Sequence, residues 1–145
     1  MNEVIDVLIV EDSASDAEMT IRALKKNNFA ECLFHAHDGV EALNFLFGQG
    51  EHSGRNQGKS IKLILLDLKM PRINGKEVLS KIREDARTRK IPVVMLTSSK
   101  EDSDIRECYD LGANGYAVKP VDLTEFQTTI TQIGLFWLLV NEPPQ

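Results

Sequence analysis

Polar residues of types that could do chemistry follow several short apolar runs of the chain. Glu11 and Asp12 come directly after "IDVLIV", Asp67 follows "IKLILL", Thr97 closes "IPVVMLT" and Lys119 follows "GYAV". A buried carboxylate without a partner is energetically expensive, so an apolar run that ends on Asp67 needs an explanation. Each of these residues alone could be a turn-former or a helix cap. Three acids and a lysine in the same kind of position indicate a shared site.

The combination of residue types suggests phosphoryl transfer. Carboxylates in one crevice repel, and protonation or a bound cation relieves the repulsion. Oxygen ligands with no His or Cys beside them suit Mg²⁺. A cation, an ammonium group and a nucleophilic carboxylate are the parts needed to move a phosphoryl group onto an aspartate.

The elements that must position these residues alternate between apolar runs and segments of helical period. The runs at 5–10, 32–37, 61–66, 91–97 and 115–118 predict five strands. Helical spacing follows each run: Ala14, Ala17, Ile21 and Leu24; then Val40, Leu43 and Leu46; then Gly75, Val78, Leu79 and Ile82; then a helix near 101–111 and one after Pro120. Ser15 and Glu18 offer a capping box for the first helix. Strict alternation predicts an α/β fold with a parallel sheet covered on both faces, whose functional crevice lies at the carboxyl ends of the strands.

Length and composition fit a single globular domain over 1–145. The net charge of −5 argues against a surface built to bind nucleic acid, and the basic cluster Arg83, Arg87, Arg89 and Lys90 is interpreted as a solvated helix end. Cys32 and Cys108 are too far apart for metal-ligand spacing and are expected to be reduced thiols. No apolar run approaches the ~20 residues of a membrane span, and no signal peptide is evident. We expect a cytoplasmic protein.

Four stretches together resemble the receiver domain of two-component response regulators, and most of all the stand-alone, phytochrome-associated receivers. They are "VEDSASD", "LLDLKMPRINGKEVL", "VVMLTSS" and "GANGYAVKP", and the resemblance runs from about residue 5 to residue 136. It implies a flavodoxin-like, doubly wound sheet of order 2-1-3-4-5, with helices on both faces. It also implies a phosphorylation-activated signalling protein and not an enzyme acting on external substrates.

The resemblance assigns roles to individual residues. Asp67 accepts the phosphoryl group from a sensor histidine kinase, for which a bacterial phytochrome is one candidate, and Lys119 contacts the phosphoryl oxygens. Glu11, Asp12, Asp67 and the backbone carbonyl of Lys69 hold Mg²⁺. Thr97 donates its hydroxyl to the phosphoryl group, and Tyr116 is the aromatic switch, although without the resemblance it would be interpreted as an ordinary edge-strand aromatic. The Lys119–Pro120 bond is expected to be cis.

Lys69 and Ser99 occupy the two positions that tune loss of the phosphoryl group in that family. Neither offers a carboxamide or a carboxylate to orient water, so we expect slow hydrolysis.

Two other features suggest binding motifs but are weak. The stretch "GRNQGKS" has only three residues between Gly54 and Gly58, and it precedes a strand, whereas a P-loop follows one. The surrounding segment 48–60 is interpreted as an enlarged polar loop. His35 and His37 share one face of a strand, and with His52 elsewhere they are interpreted as ordinary strand and surface histidines.

Two alternative functions share parts of this pattern. A phosphohydrolase of the haloacid dehalogenase type would place a second Asp two residues after the nucleophile, where this chain has Lys69, a poor general acid. A flavodoxin-like flavin protein would place a hydroxyl- and glycine-rich loop where Glu11 and Asp12 stand, and these acids would repel a flavin phosphate.

The run "LFWLLV" at 135–140 makes the end of the last helix apolar on all sides. A surface helix buries one face, so part of this run should be exposed or folded back onto the core. We expect a homodimer through Phe136, Trp137, Leu138 and Leu139.

Overall fold

The computed structural model of the chain describes residues 5–48 and 61–144. Five strands and five α-helices alternate along it: β1 (Ile5–Val10), α1 (Ala14–Lys26), β2 (Leu33–Ala36), α2 (Gly39–Phe47), β3 (Ile61–Leu66), α3 (Gly75–Glu84), β4 (Val93–Thr97), α4 (Asp102–Asp110), β5 (Gly115–Val118) and α5 (Leu123–Gly134). The predicted polar loop at 48–60 lies outside the described residues except for Gly48, as does His52.

All strand pairs are parallel, and the order is β2-β1-β3-β4-β5, as predicted. β1 and β3 pair in the centre, with Val10 opposite Leu66 at their carboxyl ends. Apart from Asp6 and Lys62 near their amino ends, both strands are apolar without alternation because helices cover both faces of the sheet. This pairing brings the residues after β1 and β3 to the same edge.

Two apolar clusters fill the two faces of the sheet. Leu8, Val10, Ile64 and Leu66 pack against α2, α3 and α4 through Ala42, Leu46, Val78, Leu79, Ile82 and Cys108. Val7, Ile9, Leu63 and Leu65 pack against α1 and α5 through Leu24, Phe126 and Ile130. The sheet is therefore doubly wound, with α1 and α5 on one side and α2, α3 and α4 on the other.

Four helices begin at a capping side chain that accepts a hydrogen bond from the backbone N–H three residues later. The caps are Ser13, Asp38, Asn74 and Asp122. The predicted capping box of Ser15 and Glu18 is wrong, because α1 begins two residues earlier and Ser13 accepts from the N–H of Asp16. Each cap also has an acidic residue three positions on, which suits the positive end of the helix dipole.

Two predicted strands are shorter than their apolar runs. β2 spans four residues and not 32–37, and β4 begins at Val93 and not at 91. Pro92 has no N–H to donate to a ladder, so the regular strand starts after it. Its carbonyl nevertheless accepts from the N–H of Ile64 at 2.9 Å.

Arg83 corrects the interpretation of the basic cluster as a solvated helix end. Its half-buried guanidinium donates to the carbonyls of Gly112 and Ile91 and to the side chain of Asn114 at 2.8–2.9 Å. It therefore ties α3 to the segment before β4 and to the turn between α4 and β5, while Arg87, Arg89 and Lys90 are exposed. Both cysteines are free thiols.

α5 continues into a π-helical segment, Leu135–Val140, called here the C-terminal extension. Trp137 and Leu138 pack against the cluster on the α1 and α5 side, whereas Phe136 and Leu139 are exposed by 46% and 60%. The extension is thus partly folded back and partly exposed. No helix in the described part of the chain is long and apolar enough to cross a membrane.

Candidate functional site

Asp67 stands at the carboxyl end of β3 and is buried. Its N–H donates to the carbonyl of Val10 at 3.0 Å, and its Oδ1 accepts from the N–H of Leu68 at 2.7 Å. Gly75 opens α3 directly against this turn, because its N–H donates to Leu68 and a Cβ on it would lie 2.3 Å from the Asp67 carbonyl oxygen. Glycine is therefore required at this position, and backbone contacts on both sides fix the carboxylate.

Glu11, Asp12 and Asp67 converge as the sequence predicted. Each offers a carboxylate oxygen, and these atoms lie within 4.8 Å of one another; within residues 5–48 and 61–144 no other group of acids, histidines or cysteines forms such a cluster. Glu11 and Asp67 are buried, and Asp12 is exposed. A set of hard oxygen donors with one open side fits a divalent cation that keeps several waters.

Lys119 projects from the end of β5 into this cluster, with its side chain only 10% exposed. Its Nζ lies 2.5 Å from Oε1 of Glu11, 2.9 Å from Oδ2 of Asp16 and 3.5 Å from Oδ2 of Asp67. Burial alone would lower the pKa of Lys119, but hydrogen bonds to Glu11 and Asp16 outweigh it and raise the pKa to about 12. The site therefore contains a permanent positive charge beside the three acids.

Burial and the charge of Asp67 raise the pKa of Glu11 to about 7, although Lys119 acts in the opposite direction. The carboxylates thus exceed what one ammonium group balances. Such a cluster favours an additional cation.

Two contacts of the site were missed by sequence reasoning. Asp16 is the acid three residues after the Ser13 cap, so the first turn of α1 brings it to Lys119. The cap position was the signal that could have found it. His35, interpreted as an ordinary strand histidine, has its Nε2 2.7 Å from the Glu11 carbonyl oxygen and so contacts the loop that carries the acids.

Thr97, Ser99 and Tyr116 form a connected group at the ends of β4 and β5. Thr97 is fully buried, and its Oγ1 accepts from the N–H of Ser99 at 3.4 Å. The hydroxyl of Tyr116 donates to the Ser99 carbonyl at 3.0 Å, and its half-buried ring packs on the α3 and α4 side of the core. The hydroxyl of Ser99 lies 2.6 Å from Oδ2 of Asp104 in α4.

Lys69 is exposed. It lines a surface pocket together with Asp12, Asn74, Lys76 and Asp104. The expected cis peptide at Lys119–Pro120 is wrong: no peptide bond among the described residues is cis, and this one is trans.

The fold and this site define a class of phosphoacceptor signalling domains, and comparison with known proteins identifies the family. The family model of the response regulator receiver domain matches residues 7–131, so the chain belongs to that family.

Three relatives show how far the similarity extends. The response regulator Rcp1 of Synechocystis sp. is 36% identical over 91% of this chain and 88% of the relative. A crystal structure of its Mn²⁺-bound form has a TM-score of 0.89 at 34% identity, with 97% of this chain and 99% of that one covered. The structure of the phosphorylated cyanobacterial phytochrome response regulator RcpA has a TM-score of 0.90 at 32% identity, with 99% of this chain and 100% of that one covered. The bacteriophytochrome response regulator RtBRR is 43% identical, with a TM-score of 0.76 and coverage of 98% and 85%.

Proposed function

We propose that this protein is activated by phosphorylation of Asp67, with a phosphohistidine of a sensor histidine kinase as donor and Mg²⁺ as the divalent cation. The observation that carries the proposal is the position of the Asp67 carboxylate, which is buried, fixed by the backbone and set between two acids and Lys119. Membership of the receiver family and the phosphorylated state of RcpA support it.

In the proposed transfer, an oxygen of the Asp67 carboxylate bonds to phosphorus as the phosphorus–nitrogen bond of the donor breaks. The electron pair of that bond returns to the donor imidazole, which takes a proton from solvent. Lys119 would bind the phosphoryl oxygens, and the position of its Nζ near Asp67 supports this role. Glu11, Asp12, Asp67 and the carbonyl of Lys69 would hold Mg²⁺, which neutralises phosphoryl charge when bound.

The conformational response is proposed to run through Thr97 and Tyr116. The buried hydroxyl of Thr97 would turn to a phosphoryl oxygen, a strong acceptor that carries negative charge. Its present contact with the N–H of Ser99 is long, at 3.4 Å, so little is lost by the rotation. Because Tyr116 is bonded to the carbonyl of Ser99, movement of this loop would change the surface formed by α4, β5 and α5.

The direct test is intact mass after incubation with Mg²⁺ and acetyl phosphate. We expect one phosphoryl group on the wild-type chain and none on Asp67→Asn. A phosphoryl group that persists in the variant, or a wild-type chain that gains none even with excess donor, would refute the proposal.

A bacterial phytochrome is the proposed kinase, because similar solved structures include phytochrome and bacteriophytochrome response regulators. We propose that the protein is located in the cytoplasm. Output through protein contact and not through nucleic acid is in keeping with the net charge of −5.

The phosphorylated form is proposed to be long-lived. Lys69 is exposed and Ser99 is engaged with Asp104, so neither side chain is set to orient an attacking water. The rate of phosphoryl loss from Asp67 measures this, and a lifetime of seconds at neutral pH would contradict it.

We also propose that the C-terminal extension forms a homodimer interface. Leu135, Phe136, Leu139 and Val140 are each 46–60% exposed, an unusually apolar surface for six consecutive residues. Trp137 and Leu138 are partly buried within one chain, so they would support the interface from beneath.

Sedimentation tests the dimer with Phe136→Glu and Leu139→Glu. A matched control is Val121→Glu, which adds a charge at a fully exposed apolar residue elsewhere. We expect monomers from the first two variants and a dimer from the control. A dimer that survives both changes in the extension would exclude this interface.

The two alternative functions are not favoured. A phosphohydrolase would need a general acid two residues after Asp67, where Lys69 points to solvent. A flavin phosphate would meet Glu11 and Asp12 at the end of β1. Turnover of a phosphomonoester or a yellow purified protein would revive one of them.

A further inference from the structure

A network of side-chain hydrogen bonds links α3 to the loop after β4. The Nζ of Lys76, in the first turn of α3, lies 2.8 Å from Oδ1 of Asp104 and 2.5 Å from Oε2 of Glu107. Oδ2 of Asp104 accepts from the hydroxyl of Ser99 at 2.6 Å. One carboxylate therefore bridges a lysine on α3 and a serine in the loop.

These contacts are better sheltered than ordinary surface pairs. The side chain of Asp104 is 12% exposed and that of Lys76 is 27% exposed. Hydrogen bonds to Lys76 and Ser99 hold the pKa of Asp104 below its usual range. Charged hydrogen bonds that are partly shielded from water are stronger than exposed ion pairs. The geometry is thus able to hold the loop in place.

Ser99 is the point where this network meets the residues proposed to switch. Its backbone N–H contacts Thr97, its carbonyl accepts from Tyr116, and its side chain is held by Asp104. A movement of Thr97 or Tyr116 that shifts the loop must therefore stretch or break the bond to Asp104.

We propose that Lys76 and Asp104 are positioning residues that hold Ser99 in its present arrangement and so oppose the rearrangement of Thr97 and Tyr116 that accompanies phosphorylation. The inference rests on the function proposed above and adds to it a built-in restraint on switching. Removal of the restraint should make the rearrangement easier without changing the acids that bind the cation.

The test uses a phosphoryl analogue, beryllium fluoride with saturating Mg²⁺, and chains labelled with 3-fluorotyrosine. The chain has two tyrosines, and Tyr109 is exposed on α4, so the half-buried Tyr116 gives a distinguishable signal. The quantity to compare is the midpoint, which is the beryllium fluoride concentration at which the fluorine NMR signal of Tyr116 has changed by half.

Asp104→Ala and Lys76→Met should each lower this midpoint, by about five- to twentyfold, the range expected when one charged hydrogen bond couples two sites. Asp102→Ala is the matched control for the first, because it removes an exposed acid from the same first turn of α4. Lys81→Met is the control for the second, because Lys81 is exposed on α3. Both controls should stay within about twofold of the wild type.

A double variant and the unfolding temperature distinguish a restraint on switching from a general loss of stability. If Asp104 acts through Ser99, the double variant Ser99→Ala with Asp104→Ala should shift the midpoint no further than the larger single change. A merely structural role would lower unfolding temperature without moving the midpoint.

Each outcome decides between the two proposals. Midpoints of Asp104→Ala and Lys76→Met that match their controls, or that rise, overturn the restraint. A wild-type chain that takes neither a phosphoryl group at Asp67 nor the analogue overturns the proposed function instead.

Discussion

Buried acids lie at both ends of the parallel strands, called here the amino edge and the carboxyl edge of the sheet, but their surroundings differ. At the amino edge, Oδ2 of Asp6 accepts from the N–H groups of Glu31 and Cys32 at 2.8 and 3.1 Å, and Oδ1 lies 3.2 Å from Lys62. Although burial acts to raise it, the pKa of Asp6 is lowered by these contacts. Every polar atom of that carboxylate has a partner.

At the carboxyl edge, acids outnumber their partners. Glu11, Asp16 and Asp67 share one buried lysine, and Asp12 adds a further carboxylate to the cluster. Burial and the charge of Asp67 raise the pKa of Glu11 to about 7. An acid that is fully satisfied stabilises the fold, whereas a crowded cluster needs something more, such as a cation. The difference separates a structural acid from a functional one where burial alone does not.

The largest expected contrast is in phosphorylation. Asp67→Asn should abolish phosphoryl incorporation, while Asp6→Asn, at the other edge, should incorporate as much as the wild type. Intact mass after treatment with acetyl phosphate measures both. Loss of phosphoryl incorporation in Asp6→Asn, in a variant that circular dichroism shows to be folded, would contradict a purely structural role for Asp6.

The next contrast is between the two lysines. Lys119→Met leaves buried acids without their cation and should lower the free energy of unfolding by ~3–5 kcal/mol. Lys62 is 53% exposed, so Lys62→Met should lower it by only ~0–1 kcal/mol. Urea unfolding at neutral pH with a metal chelator gives both values, and equal losses would contradict the comparison.

Much of this arrangement was predictable from sequence. Continuous apolar runs predicted the central strands, and parallel pairing then required Glu11, Asp12 and Asp67 to meet at one edge. Asp6 was not recognised, because an acid inside an apolar run gives no indication of the backbone N–H groups that will face it. Those groups belong to Glu31 and Cys32, more than twenty residues away.

Contacts between helices were also beyond the sequence. The bridge from Lys76 through Asp104 to Ser99 depends on how α3 and α4 pack, which residue spacing within one helix does not determine. In the C-terminal extension, the apolar run predicted exposure but did not show which residues pack inward. Trp137 and Leu138 do so, because they continue the buried face of α5 that carries Phe126 and Ile130.

The pH dependence of stability should distinguish Asp6 from an ordinary surface acid. Because the pKa of Asp6 is lower in the folded chain than its usual value near 3.8, its contribution is present above that value and is lost as pH falls through the folded pKa. Asp6→Asn should therefore be less stable than the wild type by ~1–2 kcal/mol at neutral pH, and the gap should close in acid.

Glu18→Gln is the control, since Glu18 pairs with Arg22 where both side chains are largely exposed. Its effect should stay below ~0.5 kcal/mol at neutral pH. A gap for Asp6→Asn that widens as pH falls would have the opposite sign and would exclude a satisfied carboxylate at the amino edge.

The smallest effect expected is the gain in stability from Mg²⁺. At a concentration ten times its dissociation constant, a ligand that binds only the folded chain adds ~1.4 kcal/mol. Asp12→Ala should lose most of this gain yet match the wild type without Mg²⁺, because Asp12 is exposed. Asp6→Asn should keep the gain in full, since its carboxylate lies at the opposite edge. Thermal unfolding with and without Mg²⁺ measures all three chains, and an undiminished gain in Asp12→Ala would show that the crowded acids are not the cation site.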